Sequence, residues 1–84
     1  MNYGFITFRS VTPAQRGEGL LRRAGVDCAL QRTPRWMEEQ GCGYSIRLKQ
    51  KDMSFACQML KNSGISYRKT YLQADNGAYE ELKL

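Results

Sequence analysis

Three cysteines, Cys28, Cys42 and Cys57, are the side chains of this sequence best suited to covalent chemistry, and no histidine accompanies them. Without histidine the chain lacks the commonest general base, the commonest metal ligand and any Cys–His dyad. The cysteines lie 14 and 15 residues apart. That spacing is neither a Cys-x-x-Cys redox pair nor a zinc pattern, and an odd number closes no disulfide framework. We therefore expect no resident metal, no cofactor and no self-contained hydrolase. What is left is the chemistry of a lone thiolate: persulfide or selenide carriage, thiol exchange, or a ligand shared with a partner.

Cys42 is the best placed of the three. It lies between Gly41 and Gly43, at the end of a polar stretch and the start of an apolar alternation. Glycine leaves room for a partner to approach the sulfur and frees the backbone there. Arg35 and Arg47, with Arg32 nearby in sequence, are candidates to hold the thiolate, whereas Glu38 and Glu39 would raise its pKa if they approach it. Cys28 alternates with Val26 and Leu30 and reads as a small core residue. Cys57 follows Ala56 on a helical pattern and reads as half-buried, with no chemistry assigned to it.

The elements that must position Cys42 follow from periodicity. Residues 3–9 alternate as a strand rich in β-formers. Thr12 and Pro13 read as the cap and first residue of a helix that runs to about Ala24 and stops at Gly25. Residues 26–32 form a second strand, 33–42 a polar loop containing Trp36, and 43–49 a third strand. Asp52 opens a second helix to about Asn62, ended by Ser63-Gly64. Phe55 and Met59 on one row, with Met53, Ala56 and Leu60 on the next, give it an apolar stripe. Residues 65–72 read as a fourth strand, and Asp75-Asn76-Gly77 as a turn in a tail whose form the sequence leaves open.

Strand–helix–strand occurs twice, each helix ending in a similar phrase, Arg-Ala-Gly-Val and Asn-Ser-Gly-Ile. This predicts an α+β, ferredoxin-like βαββαβ sandwich, with two helices on one face of a four-stranded antiparallel sheet. Strands one and three would be central. Residues 1–72 would form the domain and 73–84 a C-terminal tail. Ile65 and Tyr67 would face the helices. Tyr3, Phe5, Thr7, Ser45, Arg47, Lys49, Arg68 and Thr70 would lie on the open face.

At 84 residues the chain has room for one small domain. It has no apolar run long enough to span a bilayer and no signal-peptide pattern, so a cytoplasmic location is expected. A net charge of +5 is spread along the chain and admits acidic partners. An RNA-binding sheet would need aromatics on the third strand where Ser45, Arg47 and Lys49 stand, which argues against nucleic acid.

The order strand, Ser10-x-x-x-Ala14, helix, Ala24-Gly25-Val26, strand, Thr33-Pro34-Arg35, loop, Cys42-Gly43, apolar strand resembles the selenium/sulfur carrier-like family. The resemblance covers residues 3 to about 72. It implies Cys42 as the carrier and Arg35 as its companion. Family members usually have serines just before the cysteine, where this chain has Glu39-Gln40-Gly41. The expected partners are a persulfide or selenium donor protein and an acceptor protein. The alternative is a non-enzymatic interaction or small-ligand regulatory module, forming a homodimer through its open sheet face with Cys42 structural.

Overall fold

The computed structural model of the protein describes residues 2–33, 43–74 and 76–82. Their order is β1 (Tyr3–Phe8), α1 (Val11–Arg23), β2 (Cys28–Arg32), β3 (Tyr44–Lys49), a 3₁₀ turn (Gln50–Asp52), α2 (Met53–Asn62), β4 (Thr70–Gln73) and β5 (Tyr79–Leu82). All five strands join one antiparallel sheet in the order β2-β3-β1-β4-β5. The first four strands keep the ferredoxin-like order, with β1 and β3 inside. The fifth strand departs from the four-stranded expectation: residues of the expected tail pair with β4, Gln73 opposite Tyr79 and Thr70 opposite Leu82. Asn76 and Gly77 make the intervening turn. The Asn76 side chain accepts from the Ala78 amide at 2.9 Å, and Gly77 takes a φ of 83°.

The core lies between the sheet and the helices. Ile6 and Phe8 of β1, Ile46 and Leu48 of β3, Ala14 and Leu21 of α1, and Met53, Ala56 and Leu60 of α2 meet there. In α2 the buried row is Met53, Ala56, Cys57 and Leu60, whereas Phe55 is 50% exposed, contrary to the wider stripe expected. Of the expected Phe55–Met59 row only Met59 packs against the core, so the apolar face of α2 is narrower than the sequence stripe.

The repeated phrases at the helix ends have the same physical form. Gly25 and Gly64 take φ of 88° and 71°, where glycine carries no Cβ penalty. After α1, the Gly25 amide donates to Arg22 and the Val26 amide to Leu21; after α2, Gly64 donates to Lys61 and Ile65 to Leu60. Both are Schellman ends, each with its apolar pair, Leu21–Val26 and Leu60–Ile65, set in the core. The start of α1 differs from expectation: Ser10 is the cap residue, without a side-chain bond, and Pro13 sits within the first turn.

Residues 65–69 also differ from expectation, because the regular ladder of β4 begins only at Thr70. The Arg68 amide donates to the Thr7 carbonyl at 2.7 Å, while the Thr7 amide donates to the Lys69 carbonyl at 2.8 Å. Two residues thus stand opposite one, which is a bulge. The Thr7 hydroxyl accepts the Lys69 amide at 3.0 Å. One extra residue inverts the inside–outside alternation beyond it. Ile65 and Tyr67 accordingly face the helices as expected, but Tyr71 joins Phe5 on the open face, and Thr70 pairs with Ile6 on the helix side.

Candidate functional site

The β2–β3 ladder carries the ends of the segment that holds the candidate thiol. Its last regular rung pairs Arg32 with Tyr44, and the Thr33 amide then donates to the Gly43 carbonyl at 3.1 Å. Thr33 and Gly43, the two described residues of the Thr33-Pro34-Arg35 and Cys42-Gly43 motif, therefore stand on one rung. Cys42 itself, Arg35 and Gly41, together with Trp36, Glu38 and Glu39, lie outside the described residues. Gly43 and Arg47 lie within them.

Among the described residues, a Cβ added at Gly43 would meet nothing within 4 Å, and Gly43 is not among the glycines with positive φ. Neither backbone strain nor packing against the described residues demands glycine there. Arg47 stands four residues further along β3, about 13 Å at strand rise. Its guanidinium lies 4.9 Å from the centre of the Tyr3 ring on the open face. The cation one rung from Gly43 is Arg32, whose guanidinium lies 5.5 Å from the Tyr44 ring centre.

Two side chains at this end of the ladder, Thr33 of the motif and Ser45, have a feature that sequence reasoning did not assign to them. Thr33, 6% exposed, and Ser45, fully buried, have hydroxyl oxygens that are buried without a hydrogen-bond partner among the described residues. The ladder places both on the open face, Thr33 opposite Gly43 and Ser45 opposite Gln31. An orphaned buried hydroxyl costs about 1–3 kcal/mol, so such groups are kept out of most native interiors. No periodicity announces them, because being orphaned depends on what covers the face.

The other two thiols are free and sealed in the core. Burial pushes the Cys28 thiol up; the nearby Arg22 guanidinium works against this, and Glu18 and Asp27 add to it. Burial likewise raises Cys57, offset in part by a hydrogen bond from the Tyr67 hydroxyl and by Lys61. Both sit on the unreactive side of the thiol range. Cys28 thus fits the core role expected of it, and Cys57 is more deeply buried than expected.

The described helices include none long and apolar enough to cross a membrane. A family model described as "Putative Se/S carrier protein-like" matches residues 3–72. No curated protein and no solved structure matches the chain. The match ends within β4, so β5 lies beyond it.

Proposed function

The chain belongs to this Se/S carrier protein-like family, and from that premise we propose that it carries sulfur or selenium on Cys42 between a donor and an acceptor protein. The Cys42 thiolate attacks the outer sulfur of a donor persulfide. The donor S–S bond breaks, the donor leaves as a thiolate, and Cys42 holds the persulfide. An acceptor thiolate reverses the step. One thiolate enters and one leaves at each transfer, so no oxidant is required. The protein is an accessory carrier without turnover of a small substrate, and Arg35 is the cation assigned to the anionic cargo; Arg47, the second candidate, is engaged on the Tyr3 ring further along β3.

The observation that carries this reading is the Thr33–Gly43 hydrogen bond, which ties both halves of the motif to one rung. The two orphaned hydroxyls on the same face add support, since a hydroxyl donates readily to an anionic sulfur. The alternative, a module dimerising through the open face, has less behind it. Phe5, which a dimer was to cover, is already 4% exposed within one chain, packed with Tyr71.

Alkylation of the full-length protein across pH, read by mass spectrometry, tests the proposal, with Cys28 and Cys57 as internal controls. The expected result is a Cys42 rate that titrates well below the reference thiol pKa of about 8.5, while the other two stay protected. A Cys42 rate that titrates at or above that value would sink the carrier reading.

A further inference from the structure

Helix α1 contains two glycines, and only one is explained by the chain's own packing. At Gly17 an added Cβ would lie 3.1 Å from Leu60 Cδ2 and 3.4 Å from Phe8 Cζ. At Gly19 it would meet nothing within 4 Å, and the backbone there is ordinary helix. A glycine inside a helix is unfavourable relative to alanine unless a close approach needs it. Gly19 lines a groove of about 310 Å³ between α1 and the chain that follows α2. Leu20 and Ile65 give this groove an apolar part, while Gln15 and Ser63 supply uncharged donors.

Arg16 and Arg23 flank the same groove. They are seven residues apart, two helical turns or about 10 Å, on the face that Gly19 and Leu20 share. Neither has a hydrogen-bond or ion-pair partner among the described residues, whereas Arg22, on another face, is engaged by Glu18. No carboxylate is among the described residues that line the groove. The groove meets α2 at its carbonyl end, where a helix disfavours anions. Those carbonyls, on Met59, Leu60 and Lys61, already accept the amides of Ser63, Gly64 and Ile65. The negative group of a ligand therefore belongs at the α1 side, and its apolar part beside Ile65.

We infer that this groove is a binding site for a small organic phosphate, its dianion held by the Arg16 and Arg23 guanidiniums and its apolar body lying over Gly19 against Leu20 and Ile65. Two forked donors suit a phosphate, and the volume suits a compact ligand. The site is independent of the chemistry proposed at Cys42.

Titration of the full chain with phenyl phosphate, followed by amide NMR shifts, tests the inference, with inorganic phosphate and phenol as the half-ligands. Saturable shifts are expected at Gly19, Leu20, Ser63 and Ile65, with phenyl phosphate at least several-fold tighter than either half. The folded R16Q/R23Q variant should bind at least tenfold more weakly. Absence of shifts in the groove overturns the site. So do shifts scattered over Arg9, Arg22 and Arg68 alike, or unchanged binding in the double variant.

Discussion

The Glu18 carboxylate accepts the backbone amide of Leu30 at 2.9 Å, so a helix side chain stands where a neighbouring strand's carbonyl would stand. One turn on, Arg22 donates to the Cys28 carbonyl at 3.0 Å and lies 3.4 Å from Glu18. β2 is an edge strand of the sheet. An i,i+4 pair on α1 thus satisfies outward-facing donor and acceptor groups of that edge and denies them to another chain. Replacing Glu18 by alanine should cost about 1–2 kcal/mol, because the part-buried Leu30 amide loses its acceptor. Glu18→Gln keeps an acceptor and should cost less. Urea denaturation checks the order. Sedimentation velocity should show self-association of Glu18→Ala first.

Gly4, Gly17 and Gly19 separate steric need from mere tolerance. A Cβ at Gly4 would overlap Met53 Sδ and Cγ, and Met53 is itself buried in the core. Gly4→Ala should therefore destabilise by about 1–3 kcal/mol, as overpacking does. Gly19→Ala meets open space and should stabilise by up to about 1 kcal/mol through helix propensity alone. Gly17→Ala sets the same propensity gain against a tight contact with Leu60 and should fall between the two. Midpoints of urea unfolding at unchanged slope measure all three. A stabilised Gly4→Ala would contradict the packing described.

Stability should fall at alkaline pH through the Tyr67–Cys57 pair. Burial, then the neighbouring Cys57, push the Tyr67 hydroxyl up to about 12, and burial also raises Cys57. A pKa raised in the folded state means that the folded protein holds its proton where the unfolded chain has released it. The stabilisation is complete below the unfolded thiol value, about 8.5, and drains away as pH rises towards 12. Denaturation midpoints at three pH values across that window should decline. The decline should be shallower in Tyr67→Phe, which removes one of the three groups with a raised pKa and leaves Cys28 and Cys57. Equal slopes in both proteins would show that other groups carry the effect.

What the sequence revealed and what it hid divide along the line between local and non-local causes. Gly25 and Gly64 were readable as left-handed helix ends because the demand for positive φ is local. The burial of Cys28 was readable from simple alternation with Val26 and Leu30. The bulge at Arg68 and Lys69 was not, because it is defined by how Thr7 on another strand bonds to them. Its consequence, Tyr71 on the face opposite to Tyr67, breaks an alternation that the sequence carries without interruption. The fifth strand was equally hidden: the Asn76-Gly77 turn was visible, but Glu80 and Glu81 are poor β-formers, and pairing with β4 decides their state. At the candidate site the motif was readable from residue types, whereas the register that sets Thr33 opposite Gly43 came from the ladder.

Thr33→Val and Ser45→Ala distinguish a hydroxyl retained for the thiolate from one retained for the fold. Neither hydroxyl has a partner among the described residues, so neither substitution removes a hydrogen bond within them. Valine matches threonine in shape, and deleting an unsatisfied buried hydroxyl should leave stability unchanged or raise it by about 1 kcal/mol. A purely structural role would end there. If the Thr33 hydroxyl donates to the Cys42 thiolate, its loss must also raise the pH at which Cys42 is alkylated, since a hydrogen bond to the charged form lowers a pKa. Thr33→Val is thus expected to be as stable as the parent and slower to react at neutral pH, with Cys28 and Cys57 unaltered. A variant that loses about 1 kcal/mol or more of stability would show that the hydroxyl has a structural partner in solution. One that keeps both its stability and its Cys42 titration would remove Thr33 from the site.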